Sequence, residues 1–271
     1  MTYDLTEKSA SAGRPVEIYT FNRDYLVWRY TSAGRDVVID SQTYQATAIK
    51  RSGIEQGSEL NRSVLKVTVP RDNEIAEMYR IAPPSDVITL TLRQYHEGDG
   101  EVQVVWSGRI LSVSFAASTA EIALEPVYTS VRRTGLRRIY QRQCPHVLYS
   151  SACGLSAEAN RSDFTVSAVS GLTITATGLN GQADGWWEGG FIKWEIATGI
   201  FEHRFIEGHT GNSITVDLSP LGLDAGTVIR VYPGCDHSTG AGGCAKFSNT
   251  ANFGGMPYIP TKNPYGSDPV F

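Results

Sequence analysis

The chain has 271 residues, with 24 basic and 28 acidic side chains and a formal charge of −4. With 41% hydrophobic and 19% charged residues it is neither a disordered polyelectrolyte nor a membrane bundle, and no window approaches the roughly eighteen unbroken apolar residues of a spanning helix. Mild acidity argues against a dedicated nucleic-acid binder, which needs a basic face. The N-terminus, Met1-Thr2-Tyr3-Asp4-Leu5-Thr6-Glu7-Lys8, has no basic start followed by an apolar run. A Sec-type signal peptide is therefore not expected, and the chain should begin in a reducing cytoplasm where structural disulfides rarely persist. The length suits about two domains of roughly 150 residues.

Residues 1–125 read as short strands divided by turns. Val16–Phe21 alternates, Leu26–Tyr30 follows, and a Ser32–Arg35 turn precedes Val37–Ile39. Val64–Val69 and Val87–Leu92 are stronger runs, rich in branched residues at period two. Glu97-Gly98-Asp99-Gly100 has hairpin chemistry before Val102–Trp106, and Ala120–Glu125 closes the series. One short helix is predicted over Asn73–Tyr79, capped by Asp72 and stopped by Pro83-Pro84. Strands at this spacing predict a barrel or sandwich, so the fold class is mainly β.

From 126 to 160 the pattern changes to a basic connector, predicted as a helix broken near Gly135. Arg132, Arg133, Arg137, Arg138 and Arg142 form the strong charge run of the chain. They either solvate a helical face or balance concentrated negative charge nearby. Six short β runs then occupy 161–233: Phe164–Val166, Leu172–Thr175, Gly190–Trp194, Phe201–Ile206, Ser213–Val216 and Val228–Tyr232. Trp186, Trp187 and Trp194 fit the core or an interface of this unit better than a sugar platform. The tail, 234–271, is rich in Gly, Pro, Asn and Ser and should be ordered by ligation or docking.

Four cysteines fall into two pairs of one spacing, Cys144-x-His146-x6-Cys153 and Cys235-x-His237-x6-Cys244, flanking the second β unit. The ends of a compact unit commonly lie close together, so the pairs could meet as one four-thiolate site. Three chemistries compete. Structural zinc usually draws on cysteines two to four residues apart, closer than in these pairs. An iron–sulfur cluster is larger and accepts ligands from wider loops. Disulfides in any of three pairings stay open. His146 and His237 read as loop caps rather than ligands, although zinc would make a mixed set plausible.

Those cysteines, together with Cys244-Ala245-Lys246-Phe247-Ser248-Asn249-Thr250-Ala251-Asn252-Phe253-Gly254-Gly255-Met256-Pro257, resemble the tail-tip or baseplate hub proteins of long, non-contractile-tailed phages and gene transfer agents, with the lambda-like tail-tip protein L more distant. The resemblance covers most of the chain and is most specific from Tyr140 to Pro260. It implies β-barrel hub domains and a four-iron, four-sulfur cluster on Cys144, Cys153, Cys235 and Cys244, with zinc as the alternative. It further implies a homotrimer that closes the tail tube at the virion tail tip, assembled in the host cytoplasm. The partners implied are the distal tail protein, a central fibre or tip-attachment protein and the tape-measure protein, with neither membrane nor specific nucleic-acid binding.

Catalysis is not expected. The chain has no phosphate loop, dinucleotide fingerprint or Gly-x-Ser-x-Gly elbow. Glu55, Glu59, Asp217 and Asp224 form no evident acid–base couple, and His96, His203 and His209 read as structural. A small iron–sulfur redox protein, or a zinc-stapled β-domain binding module, is the competing reading.

Overall fold

The computed structural model describes residues 3–9, 13, 15–54, 64–97, 101–127, 129, 135 and 139–260. The chain divides into two units, Met1–Thr134 and Gly135–Phe271. The fold is mainly β, as expected. Among the described residues, no helix is long and apolar enough to cross a membrane.

The first unit contains α1 (Tyr3–Glu7), β1 (Pro15–Arg23), β2 (Leu26–Thr31), β3 (Val37–Ile39), β4 (Gln42–Ala46), β5 (Lys50–Arg51), β6 (Leu65–Pro70), α2 (Glu74–Met78), β7 (Thr89–His96), β8 (Val102–Phe115) and β9 (Thr119–Pro126). The strands form one nine-stranded sheet in the order β3-β4-β2-β1-β7-β8-β9-β6-β5. Period-two patterning sets its inner face. Leu65, Val67 and Val69 of β6 and Ala120, Ile122 and Leu124 of β9 point inward and share a core with Tyr19, Phe21, Leu90, Leu92 and Trp106. In a flat sheet β1 and β5 would lie roughly 24 Å apart at about 4.8 Å per strand. Yet Arg51 of β5 makes a 2.6 Å ion pair with Glu17 of β1. The sheet therefore curls until its β5 edge reaches β1, and side chains rather than a backbone ladder bridge the seam.

The helix at 74–78 has a different cap from the one the sequence suggested. Asn73, not Asp72, is the N-cap, and its side chain accepts from the Ile75 N–H. Starting one residue later turns Ile75 and Ala76 into the core. The hairpin expected at 97–100 joins β7 to β8, whose strands pair antiparallel; residues 98–100 lie outside the described residues.

The second unit contains β10 (Ser162–Ser170), β11 (Thr173–Ala176), β12 (Phe191–Ala197), β13 (Ile200–Thr210), β14 (Ser213–Val216) and β15 (Val228–Tyr232). They close into a barrel in the order β10-β11-β14-β13-β12-β15. Each of the six runs read from the sequence contributes one strand. The barrel is filled by Val166, Ile174, Ile192, Ile206, Ile214, Val216, Ile229 and Val231, with Trp187 and Trp194 also buried. One ion pair is inside as well: Arg204 lies 3.1 Å from Glu202, and its guanidinium stands over Trp194. His209, expected to be structural, is buried and donates from Nε2 to the Gly211 carbonyl, 3.0 Å away. The predicted broken helix falls largely on residues outside the described set, including Arg132, Arg133, Arg137 and Arg138. From 139 to 157 the backbone is turns and irregular structure.

Candidate metal centre

All four cysteines belong to the second unit. Cys144 and Cys153 lie in the irregular segment before β10. Cys235 follows β15 by three residues, and Cys244 opens a 3-10 turn, Cys244–Phe247. All four are free thiols. The descent from β15 to Cys235 is locked by close backbone approach. A Cβ on Gly190 or Gly234 would overlap the backbone facing it, carbonyl Tyr232 in one case and Glu188 in the other. Only glycine permits that contact.

The first cysteine pair is stitched to the barrel by an aromatic anchor. The Tyr149 ring makes edge contacts with Phe191 of β12, Tyr232 of β15 and Phe247 after Cys244. Its hydroxyl donates to the Pro233 carbonyl at 2.7 Å. Burial, followed by the neighbouring Cys153 and Cys235, pushes its pKa well up, so it stays a neutral donor.

The two pairs meet through reciprocal hydrogen bonds. The Cys144 N–H donates to the His237 carbonyl at 2.9 Å, and His237 Nδ1 donates back to the Cys144 carbonyl at 3.0 Å. His146 Nδ1 donates to the Ala152 carbonyl at 2.9 Å. Both histidines of the Cys-x-His motifs therefore spend Nδ1 on shaping loops, the capping role read from the sequence.

Backbone and side-chain N–H groups are aimed at the sulfurs. The Gly254 N–H points to Cys144 Sγ and the His237 N–H to Cys235 Sγ, each at 3.4 Å. Asn249 Nδ2 lies 3.9 Å from Cys153 Sγ. Burial pushes up the Cys244 thiol, and Cys235, Cys144 and Cys153 push it further. Burial likewise raises the Cys235 pKa; the His237 N–H opposes that, while Asp236, Cys153 and Cys144 add to it. Cys144 and Cys153 thus act on Cys235 and Cys244 across 82 to 100 residues of chain. Among the described residues, no three His, Cys, Asp or Glu side chains are grouped as a single metal ion requires.

One cation beside the cysteines escaped the sequence reading. Lys246, two residues after Cys244, donates from Nζ to the Trp186 carbonyl and, at 2.9 Å, to the Gly234 carbonyl. Its ammonium stands 4.3 Å from the centre of the Trp186 ring. Burial lowers its pKa, with Cys235 and Asp236 pulling the other way. Its adjacency to Cys244 was the available signal. The arginine run, by contrast, shows only Arg142 among the described residues, and Arg142 is exposed.

The tail folds back over this site. The Met256 N–H donates to the Gln141 carbonyl at 2.9 Å. A Cβ on Gly255 would stand 2.5 Å from the Arg142 carbonyl, and one on Gly254 would run into the His146 ring.

The family model for the baseplate hub protein, N-terminal attachment domain, matches residues 17–156, just over half of the chain. The chain belongs to the phage baseplate hub family. A second model, phage conserved hypothetical protein BR0599, matches residues 185–263. The hub match takes in Cys144 and Cys153, and the second takes in Cys235 and Cys244. An uncharacterized protein of Xylella fastidiosa (strain 9a5c) is 28% identical over 179 residues, or 59% of this chain. That match spans only 37% of the relative's own length. A chain in the solved virion of a native gene transfer agent particle has the same fold, with a TM-score of 0.80 at 21% identity, covering 98% of this chain and 95% of that one. This hub protein is thus a virion component by family, and its fold spans both units.

Proposed function

We propose that this hub protein closes the tail tube at the tip of the particle as a homotrimer. It joins the distal tail protein above to a central fibre or tip-attachment protein below, and holds the end of the tape-measure protein. Its role is structural rather than catalytic, and it assembles in the host cytoplasm. A four-iron, four-sulfur cluster on Cys144, Cys153, Cys235 and Cys244 fastens the second unit.

The observation that carries the cluster is the donor set. Four free thiols sit on two loops that Cys144 and His237 bind together, and N–H groups are aimed at three of the sulfurs. Hydrogen bonds to sulfur are a normal part of such sites. Structural zinc usually draws on cysteines two to four residues apart, closer than in either pair. Bound iron supplies the positive charge that lets four neighbouring thiolates coexist. The chain's own residues do the rest: His237 and His146 shape the loops, Tyr149 anchors the first pair to the barrel, and Lys246 places a cation beside Cys235. Because the cysteines lie far apart in sequence, ligation would be worth folding free energy to this unit.

Anaerobic purification with iron, sulfide and zinc assays and a visible spectrum tests the cluster. About four iron and four sulfide per chain are expected. Stoichiometric zinc, or disulfides in protein kept strictly anaerobic, would overturn it. Antibody labelling of particles should mark the tail tip, and labelling elsewhere on the virion would sink that placement.

A further inference from the structure

We infer that Asn249 is the positioning residue that couples the two cysteine pairs, holding Cys153 against Cys244 and donating to the Cys153 sulfur. This rests on the cluster reading for its redox consequence, but not for its geometry.

Asn249 is only 8% exposed, so each of its polar groups needs a partner. It finds them on both pairs. Its backbone N–H donates to the Cys244 carbonyl at 2.9 Å. Its side-chain Nδ2 donates to the Cys153 carbonyl at 2.8 Å and lies 3.9 Å from Cys153 Sγ. One residue thus grips cysteines 91 positions apart. Its amide orientation is set by Asn252, whose Nδ2 donates to Asn249 Oδ1 at 2.7 Å. With Oδ1 already accepting, the NH₂ must face Cys153. Asn252 is itself seated against Gly154, where a Cβ would come within 2.9 Å of Nδ2. Neither histidine of the paired motifs makes such a bridge to Cys153. An N–H donor to a ligand sulfur favours the reduced, more negative state of a cluster, so its loss moves the potential down. Residues that orient ligands typically alter metal retention by about 10- to 100-fold.

The test compares wild type with Asn249→Asp, which keeps the shape and removes the donor, and with Asn249→Ala. Fluorescence of the buried barrel tryptophans reports whether each variant folds. In anaerobic holoprotein, both variants should lose iron to a chelator about 10- to 100-fold faster, with a more negative midpoint potential. In metal-free protein, Cys153 should be alkylated several-fold faster than in wild type, while Cys235 changes less. Wild-type iron loss, potential and Cys153 alkylation in a folded Asn249→Asp protein would overturn the inference. A wild type containing no iron or sulfide would overturn the cluster reading alone, and the alkylation comparison would still decide the role of Asn249.

Discussion

At the scale of single residues, glycines set what the cysteine loops can do. Gly255 lets the tail backbone lie directly on the loop before Cys144, and Gly254 leaves room for the His146 ring after it. At Gly255 a Cβ would meet two carbonyls, those of Arg142 at 2.5 Å and Gln143 at 2.6 Å. Backbone atoms cannot step aside as a side-chain tip can. Gly255→Ala should therefore cost about 1–3 kcal/mol and loosen the segment 252–257. Limited proteolysis measures this directly: cleavage near Met256 should accelerate, while the barrel strands stay protected. Wild-type proteolysis would show that the docking is incidental. These glycines were visible as a motif, but their partners were not, because the backbone they touch lies over a hundred residues earlier in the chain.

At the scale of elements, the closed barrel carries an unusual interior. Glu202 and Arg204 sit on the inward face of β13, with side chains 6% and 3% exposed. Arg204 further donates to the carbonyls of Ser219 at 3.2 Å and His203 at 2.8 Å. Removing one partner of a buried pair strands the other charge, at a cost of about 3–5 kcal/mol. Replacing both by apolar residues of similar volume costs little. Glu202→Leu should accordingly lower barrel stability strongly, and Glu202→Leu with Arg204→Met should restore most of it. Urea denaturation followed by tryptophan fluorescence measures both, and a single variant as stable as wild type would exclude the idea. Period two made the six strands readable, since Ile, Val and Trp alternate with polar residues. The same rule misreads Glu202 and Arg204, because their polarity suggests the outer face and only their pairing with each other along β13 makes the inner one tolerable. The short strands β4 and β5 escaped for a related reason: Gln42–Ala46 and Lys50–Arg51 carry little apolar patterning and exist because neighbouring strands pair with them.

At the scale of the whole molecule, the two units should answer differently to conditions. In the first, Tyr19, Tyr30 and Tyr79 lie in or against the core, and burial is the main cause raising each pKa. For Tyr79 the value rises from 10.0 to about 12. The folded state holds these protons more tightly than the unfolded chain. Their contribution is intact below pH 10, where both states are protonated, and is lost as pH climbs from about 10 towards 12. Tyrosinate absorbance from these residues should therefore appear together with loss of sheet circular dichroism, in one cooperative step. Smooth ionisation near pH 10 with an intact sheet would contradict it. With the proposed cluster bound, the second unit should respond instead to iron removal, because all four cysteines are in it.

The amino-acid sequence by itself determined the β class, the six strands of the barrel and the two equal cysteine motifs, since alternation and spacing are local properties written along the chain. For His146 and His237 it favoured loop caps over metal ligands, and their Nδ1 hydrogen bonds came only with the structure. Tertiary structure alone decided which groups meet. Curling of the first sheet brings Arg51 to Glu17. Barrel closure sends β15 back towards the segment before β10, joining Cys144 to His237. Asn249 reaches Cys153, and Lys246 the Gly234 carbonyl beside Cys235, only because the tail folds over that junction. Contacts of this kind depend on how loops return from a closed barrel, and no periodicity in the chain records that path.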